Sequence, residues 1–331
     1  MIYEKLHKKK QELDSHRPLA KALLNNLNDW FRVELTYTSN AIEGNTLTRQ
    51  ETALVVEKGL TVGGKSLKEH LEATNHASAL NWVMDLVNKP TKHLTENDIL
   101  HLHYLILKGI DDENTEHYRN VAVRISGSTV ILPNSRKVPD LMANFAKWMQ
   151  QCEIDPIELA ALAHYELVTI HPFVDGNGRT ARLLMNLILM MHGFPPAIIR
   201  TTDRLAYIKS LEKAQLGGPK EDYLKLIAKA VDRSLDIYLK AVKNEDDPQQ
   251  TSTDAFLKIG ELAKAANETV STIRFWTKEG LLDVAETTDS GYQLYKPLMV
   301  ERVGKIQALK QQRFTLQEIK EFIKLDPMVK P

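Results

Sequence analysis

The chain has 331 residues, of which 43% are hydrophobic, and it carries 43 Lys and Arg against 43 Asp and Glu. This neutral balance gives no global reason to expect nucleic acid or an anionic membrane as a partner, and no apolar run reaches the length of a membrane span. The single cysteine, Cys152, excludes an intrachain disulfide framework and a cysteine-based metal site, and with an N-terminus that lacks an apolar signal core it predicts a cytoplasmic protein.

Helices are predicted over most of residues 1–240, because Leu, Ile, Val, Met and Ala recur there at helical spacing. The strongest segments are 69–87, 97–109, 157–170, 180–192 and 221–241. We expect an N-terminal helical region over residues 1–90 and a second helical region, which holds the chemistry, over residues 91–242.

An early segment, Thr38-Ser-Asn-Ala-Ile-Glu-Gly-Asn45, looks like the end of a helix. Ser39 and Glu43 are four residues apart and therefore share one helix face, and Gly44 is a plausible helix stop. Taken alone, the pattern indicates an ordinary helix end with a solvated glutamate.

Residues 121–139 interrupt the helical pattern. They are rich in β-branched side chains, alternate in character and contain Ser-Gly-Ser at 126–128. This segment is predicted to form a β-hairpin in an otherwise all-α region.

The most informative stretch is His171-Pro-Phe-Val-Asp-Gly-Asn-Gly-Arg-Thr-Ala-Arg182. A helix that begins at Asp155 and Pro156 should end at His171, because Pro172 disfavours the helical conformation of the residue before it. The Asp-Gly-Asn-Gly turn at 175–178 then leads into a new helix, from about Arg179 to Met191.

This stretch has the components of a phosphate site. The start of the second helix offers free backbone N–H groups to an anion, and Arg179 and Arg182 lie on neighbouring positions of one face. Asp175 supplies a carboxylate oxygen that suits Mg²⁺, and His171 has an ordinary pKa that suits a general base. Each feature alone is more often structural, but their combination within twelve residues predicts phosphoryl or nucleotidyl transfer.

HPFVDGNGRTAR resembles the signature of Fic-domain proteins, H-x-F-x-D/E-G-N-G/K-R-x-x-R, at every position of that pattern. The resemblance extends over about residues 30–235. It implies a mainly helical core with a β-hairpin flap, and transfer of AMP from ATP to a Ser, Thr or Tyr hydroxyl of a target protein or of the chain itself. Some related proteins transfer other phosphate-containing groups.

The resemblance also implies a role for each signature residue. His171 would deprotonate the target hydroxyl, Phe173 would anchor the loop, and Asp175 would hold Mg²⁺. The remaining signature residues would bind the phosphates of ATP: the amides around Gly176 and Gly178 with Asn177, and the side chains of Arg179 and Arg182.

The earlier S-x-x-x-E-G pattern resembles the inhibitory motif of the same family. That resemblance implies that Glu43 pairs with Arg182 and excludes the γ-phosphate of ATP by competition. The same glutamate could instead orient a water molecule for removal of AMP from a modified target, and the sequence leaves brake and hydrolase open.

Two further features follow from the family resemblance. The hairpin at 121–139 corresponds to a flap that aligns the target by strand addition, with Ile131 and Leu132 as its edge. Arg204 and Tyr207 resemble the family's R-x-x-Y pattern, so Tyr207 could stack near the adenine, although a core position is an equal alternative.

The last part of the chain reads as a separate unit. Residues 243–255 are polar and are predicted to be a linker, and residues 256–331 contain two short helices with helix-turn-helix spacing around Asn267. Ile259-Gly-Glu-Leu-Ala, Gly291-Tyr-Gln-Leu-Tyr295 and Phe314-Thr-Leu-Gln-Glu-Ile319 resemble the winged helix-turn-helix domain of MerR-type regulators.

DNA binding by this unit is one of two open alternatives. Residues 254–331 carry 12 Lys and Arg against 11 Asp and Glu, whereas a DNA-binding domain usually has a basic surface. A role in protein interaction is therefore equally favoured. A DNA-binding regulator whose Fic unit senses nucleotide remains an alternative to the enzyme, and the sequence leaves open whether the chain forms a homodimer.

Overall fold

The computed structural model describes residues 2–89, 93–246, 257–287, 293–296, 298–311, 314 and 317–320. The chain divides into two compact units, Met1–Lys243 and Asn244–Pro331. The structure confirms the predicted fold class, which is mainly helical with a winged helix-turn-helix unit at the C-terminal end. Among the described helices, none has the combination of length and hydropathy that crossing a bilayer requires.

The first unit is built from α-helices. Over the described residues they are α1 (Ile2–Ser15), α2 (Lys21–Ile42), α3 (Arg49–Lys58), α4 (Leu67–Val87), α5 (Glu96–Leu107), α6 (Val138–Gln151), α7 (Pro156–Ile170), α8 (Asn177–Met191), α9 (Arg204–Gln215) and α10 (Glu221–Asp246). The five segments predicted from hydrophobic spacing correspond to α4, α5, α7, α8 and α10.

Side chains that cap the N-termini explain where several of these helices begin. Thr48, Ser66 and Thr95 each form a capping box with the acidic residue three positions later, at the starts of α3, α4 and α5. Asp155 caps α7, and Pro156 occupies its first position, as the sequence predicts.

Helix α8 runs through the middle of the hydrophobic core. All of its residues from Arg179 to Leu189 are buried, including the polar side chains of Arg179, Arg182 and Asn186. Charged groups are buried only at a cost unless partners satisfy them, so the surroundings of the two arginines decide what this helix can do.

The predicted strand pairing at 121–139 is wrong, although the chain does turn there. The chain reverses at Gly127, which has a φ of 78°, but no residue of this segment is assigned to a strand. Side chains hold the two arms instead of a ladder: Ser128 and Thr129 donate to Glu212, and Arg119 donates to the carbonyls of Val121 and Pro133. We keep the name flap for residues 121–133.

The second unit contains β1 (Leu257–Lys258), α11 (Ile259–Ala265), α12 (Val270–Lys278), β2 (Glu286–Thr287), β3 (Gln293–Tyr295) and α13 (Leu298–Gln311). The strands form an antiparallel sheet in the order β1-β3-β2. Asn267 turns between α11 and α12 with a φ of 52°, as the helix-turn-helix spacing predicts. The hydrophobic core of this second unit includes Trp276 and Tyr295. Most of the predicted linker, together with Gly291 and Tyr292 of the wing pattern, lies outside the described residues.

Candidate functional site

His171 lies at the end of α7 in a left-handed backbone conformation. Its φ is 52° and its ψ is 60°, and its N–H donates to the carbonyl of Leu167 at 2.9 Å. The ring Nδ1 lies 3.3 Å from the carbonyl of Val168, which requires a proton on Nδ1 and leaves the Nε2 lone pair free. Burial lowers the pKa of His171, with a further lowering by Arg119 that Glu43 and Asp175 oppose. The imidazole is therefore neutral at neutral pH and can accept a proton.

The turn after His171 is closed by the side chain of Asn177. Its Oδ1 accepts from the backbone N–H of Phe173 at 3.0 Å, and its Nδ2 donates to the carbonyl of Phe173 at 2.9 Å. Asn177, which was predicted to bind phosphate, thus closes the turn with its side chain. Its backbone N–H points from the first residue of α8 and stays available to an anion.

Phe173 and His103 form the floor of the turn. Their rings stack with centroids 3.6 Å apart, and His103 Nε2 lies 3.0 Å from the carbonyl of Asp175. Burial lowers the pKa of His103 to about 4, so the ring is neutral and donates this hydrogen bond. Gly176 needs to be glycine, because its φ is 78° and a Cβ there would approach His103 to 3.3 Å.

The start of α8 presents an anion site. The first hydrogen bond of this helix runs from Thr180 to Gly176, so no residue described in the structure accepts from the backbone N–H groups of Asn177, Gly178 and Arg179. These N–H groups and the positive end of the helix dipole favour an anion at this point. Asp175 borders the site with a side chain that is 53% exposed.

The buried guanidinium of Arg179 joins the turn to α4. Its NH1 lies 3.1 Å from Glu72 Oε1, and its NH2 lies 3.5 Å from Asp175 Oδ2. Its Nε is also buried, and the described residues offer it no acceptor. Glu72 in turn accepts from Asn45 at 2.9 Å, which connects Arg179 to the segment that follows α2.

The other arginine, Arg182, is held by the C-terminal end of α2. It donates from Nε to the Ser39 hydroxyl at 3.0 Å, from NH2 to the Ser39 carbonyl at 2.9 Å, and from NH2 to Glu43 Oε1 at 2.8 Å. Burial opposes its charge, but Glu43 and the Tyr207 hydroxyl beside it leave the pKa of Arg182 raised. Ser39 and Glu43 therefore share one face and both contact Arg182.

Glu43 also covers the anion site itself. A Cβ built on Gly178 would collide with Glu43 Oε1, so this carboxylate oxygen lies directly against the backbone at the start of α8. A carboxylate in this position and a second anion would compete for the same N–H groups and for the same guanidinium.

Tyr207 is a core residue, and its predicted contact with a bound base is not supported by its position. The residue is 3% exposed, so neither face of the ring can receive a ligand. Its hydroxyl lies 2.7 Å from His164 Nε2, and His164 Nδ1 lies 2.9 Å from the hydroxyl of Tyr223. Since Tyr223 donates to the carbonyl of Ala161 at 2.8 Å, it must accept from His164 Nδ1.

This order of donors fixes the direction of the Tyr207 hydroxyl. Burial, with Arg182 nearby, lowers the pKa of His164 to about 3, so the ring is neutral and its Nε2 accepts the proton of Tyr207. The lone pairs of the Tyr207 oxygen are then left for Arg182. The buried hydrogen-bonded chain Tyr223–His164–Tyr207 thus directs an acceptor oxygen toward the guanidinium of Arg182.

Replacing Tyr207 with phenylalanine is expected to lower the free energy of unfolding by about 1–3 kcal/mol, because His164 and Arg182 both lose a buried partner. Urea unfolding of the two proteins measures this difference. Tyr104→Phe is the matched control, since the described residues provide no hydrogen bond to that hydroxyl. Equal stability of Tyr207→Phe and the parent would contradict the proposed chain.

The flap holds Ile131 and Leu132 outside any helix or strand. Ile131 is 94% exposed, and no described residue forms a hydrogen bond with the backbone of either residue. The backbone groups of both residues are therefore without a hydrogen-bond partner among the described residues.

Several residues that contact the site belong to no motif from which the sequence could have assigned them to it. Arg204, which was noted only as part of a pattern, donates from Nε to the Ile42 carbonyl at 2.8 Å and so holds the end of α2. Glu72 and His103 come from α4 and α5, and a single sequence does not reveal that they meet the 171–182 stretch. His164 lies on α7, but its contact with Tyr207 on α9 has no sequence signal either. Within the described part of the chain there is no cluster of three or more His, Cys, Asp or Glu that could hold a metal by itself.

Two family models match the chain. The model of the Fic/DOC family matches residues 93–189, and the model of MerR HTH family regulatory proteins matches residues 257–325.

Curated proteins with similar sequences include several that are named protein adenylyltransferases. The chain is 40% identical over 206 residues to "Protein adenylyltransferase Fic" of Nematostella vectensis, covering 61% of this chain and 48% of that protein. It is 37% identical over 225 residues to "Protein adenylyltransferase fic-1" of Caenorhabditis elegans, covering 67% and 44%. The chain thus spans about half the length of the curated relatives it matches.

Solved structures share the fold. A fragment of Fic-1 from Caenorhabditis elegans superposes with a TM-score of 0.68 at 33% identity, covering 74% of this chain and 72% of that chain. A Fic-domain-containing signaling protein from Bacteroides thetaiotaomicron superposes with a TM-score of 0.66 at 30% identity, covering 74% and 97%.

Proposed function

The chain belongs to the Fic/DOC family, and on that premise we propose that it transfers AMP from ATP to a hydroxyl side chain of a protein, with Glu43 as an internal inhibitor. One observation carries the proposal. A single turn joins an imidazole with a free Nε2 to a helix start that has unpaired N–H groups and two buried arginines. The names of the curated relatives support the same reaction.

The proposed reaction uses His171 as a general base. Its neutral ring would take the proton of the target hydroxyl at Nε2 while the hydroxyl oxygen bonds to the α-phosphorus of ATP. The bond from the α-phosphorus to the oxygen that bridges to the β-phosphate would break, and pyrophosphate would leave. The pKa of His171, lowered by burial, keeps the base form available at neutral pH.

The phosphates of ATP would lie at the start of α8. The backbone N–H groups of Asn177, Gly178 and Arg179 point to this place, and phosphate suits the planar donors of Arg179 and Arg182. The buried Nε of Arg179, for which the described protein atoms supply no acceptor, fits an anionic ligand. Contacts made here would orient the α-phosphorus toward His171.

Asp175 fits a magnesium ion that arrives with ATP. Its carboxylate is half exposed and borders the phosphate site, and Mg²⁺ is usually held by one or two carboxylates together with substrate phosphates. When bound, the ion would neutralise phosphate charge. The residues of this chain would contribute one ligand and the position of that ligand, which His103 helps to fix through the carbonyl of Asp175.

Removal of divalent cations is expected to lower AMP transfer on the order of 100-fold or more, and added Mg²⁺ should restore it. Treatment with a chelator followed by a Mg²⁺ titration measures this effect, and Asp175→Ala should require more Mg²⁺ for half-maximal activity. Thermal unfolding provides the control, since chelation should leave the melting temperature unchanged. Full transfer in the chelator would contradict a role for the metal.

The reaction itself is tested with two labels. Incubation of the Glu43→Gly variant with ATP labelled at the α-phosphate should label protein, whereas ATP labelled at the γ-phosphate should not. Labelling from the γ-phosphate would instead indicate a kinase.

The flap would dock the target. The free backbone of Ile131 and Leu132 could pair with an extended target segment, which would place a hydroxyl by main-chain hydrogen bonds. Docking of this kind would require an extended target segment but would depend little on the side chains of that segment.

Removal of AMP from a modified target is a second candidate. Glu43 is 39% exposed and lies against the start of α8, where it could orient a water molecule. A pre-modified target that loses AMP only when Glu43 is present would support removal over transfer.

The winged helix-turn-helix unit would bind a further partner, either DNA or a protein. Arg274 is exposed in the middle of α12 and can contact phosphate, but the neighbouring Phe275 is 47% exposed, which equally suits a protein partner. Specific DNA binding by the parent chain, together with no protein labelling even by the Glu43→Gly variant, would favour a regulator over the enzyme.

A further inference from the structure

Arg119 is a buried arginine that holds the loop at His171. The residue is 3% exposed. Its Nε donates to the carbonyl of His171 at 2.7 Å, and its backbone N–H donates to the carbonyl of Pro172 at 2.9 Å. One residue thus binds two consecutive carbonyl groups of the loop. A non-glycine residue keeps a φ of 52° only where its surroundings impose it, and Arg119 is one of those surroundings.

The same guanidinium holds both arms of the flap. NH1 donates to the carbonyl of Val121 at 3.0 Å, and NH2 donates to the carbonyl of Pro133 at 2.7 Å. These carbonyls lie on opposite sides of the turn at Gly127. All three nitrogens of one rigid, planar group are therefore used, and they join three separate pieces of backbone.

The partners of Arg119 satisfy its donors without neutralising its charge. Among the described residues, no carboxylate forms an ion pair with it, and burial lowers its pKa. The C-terminal end of α7, at Ile170, supplies the partial negative charge of a helix dipole. Arg119 therefore keeps its positive charge and acts on His171 with it.

We propose that Arg119 is a positioning residue that fastens the flap and the His171 loop together as one piece. A hydroxyl docked along the flap would then meet the imidazole at a fixed place, although the two segments are 38 residues or more apart in the chain. This inference rests on the proposed function, because it concerns the same site.

The charge of Arg119 has a consequence of its own. Arg119 lowers the pKa of His171, whereas Glu43 and Asp175 raise it, and the Val168 carbonyl favours the protonated ring. Removal of the positive charge should therefore raise the pKa of His171. A lysine at position 119 should keep the charge but lose the three-way contact, which separates the two effects.

Hydrogen–deuterium exchange of the full chain tests the fastening. In Arg119→Gln, amide exchange in peptides covering 121–133 and 168–178 should accelerate together, by about tenfold or more, because several bonds to a charged group are lost. Arg119→Lys should loosen both segments as well. It also serves as the test variant if Arg119→Gln does not fold.

Histidine NMR titration tests the charge. Arg119→Gln should shift the pKa of His171 upward, whereas Arg119→Lys should leave it near the parent value. His171→Ala identifies the resonance.

Arg233→Gln is the matched control. Arg233 is a partly buried arginine that donates to the carbonyl of Ile198 at 3.3 Å and to Asp203 at 2.8 Å. Its loss should lower the melting temperature without loosening either segment. If Arg119→Gln also lowers the melting temperature but leaves both segments unchanged, or loosens only one of them, the proposed fastening is overturned.

These measurements need neither ATP nor a target. A chain that shows coupled loosening but never transfers AMP would refute the proposed function and leave the role of Arg119 intact.

Discussion

Replacement of His171 with alanine is expected to lower the rate of AMP transfer by about 100- to 10,000-fold, because the reaction loses the group that accepts the hydroxyl proton. The variant should still bind ATP, since the N–H groups of α8 and the two arginines do not depend on the imidazole. Incorporation of α-labelled phosphate into protein, made in the Glu43→Gly background, measures the loss. Calorimetric titration with ATP and Mg²⁺ measures the retained affinity.

His192→Ala is the matched control for this experiment. His192 also lies at the C-terminal end of a helix, and its ring Nδ1 lies 2.8 Å from the carbonyl of Ile188, so its ring, like that of His171, contacts a carbonyl of the preceding helical turn. It should transfer AMP at the parent rate. Undiminished transfer by His171→Ala would remove the general base from the mechanism.

Replacement of Glu43 with glycine is expected to raise AMP transfer roughly ten- to hundredfold. The carboxylate holds Arg182 at 2.8 Å and covers the backbone of Gly178, and a charged hydrogen bond of this kind contributes about 1.5–3 kcal/mol. Its removal frees both groups for the phosphates of ATP. Initial rates of label incorporation at several ATP concentrations measure the gain.

The control separates relief of competition from a general loosening of the protein. Glu57→Gly also replaces a glutamate near the end of a helix, but Glu57 is exposed on α3 and lies in none of the contacts of the site. It should leave the rate unchanged. Equal rates for Glu43→Gly and the parent would show that the contact between Glu43 and Arg182 does not inhibit.

The sequence predicted the helices and the 171–182 turn because their causes are local. Hydrophobic spacing, the Asp155 cap and Pro172 act within a few residues, so α7, the turn and α8 could be placed without a structure. The contact of Arg182 with Ser39 and Glu43 was also expected, but only through the family resemblance, since 139 residues separate Glu43 from Arg182.

The error at 121–139 arose where tertiary contacts override local preference. Alternating β-branched residues favoured two paired strands at 121–139, but Arg119 and Glu212 take up backbone groups that a ladder would need. For Tyr207 the sequence left two alternatives open: a place near the adenine, from the R-x-x-Y resemblance, and a place in the core. The structure buries the residue, in contact with a histidine that the sequence did not connect to the site.

The backbone around Glu43 is anchored on both sides. Arg204 binds the Ile42 carbonyl, and Asn45 binds the Glu69 carbonyl and the Glu72 carboxylate. The Glu43 side chain, by contrast, is 39% exposed and can rotate into water without any helix unwinding. Access of ATP to Arg182 should thus open and close as fast as a surface side chain changes rotamer, in nanoseconds rather than milliseconds. The Glu43 carboxylate thus acts like a reversible competitive ligand that is present at a fixed effective concentration. The degree of inhibition should therefore fall as the concentration of ATP rises.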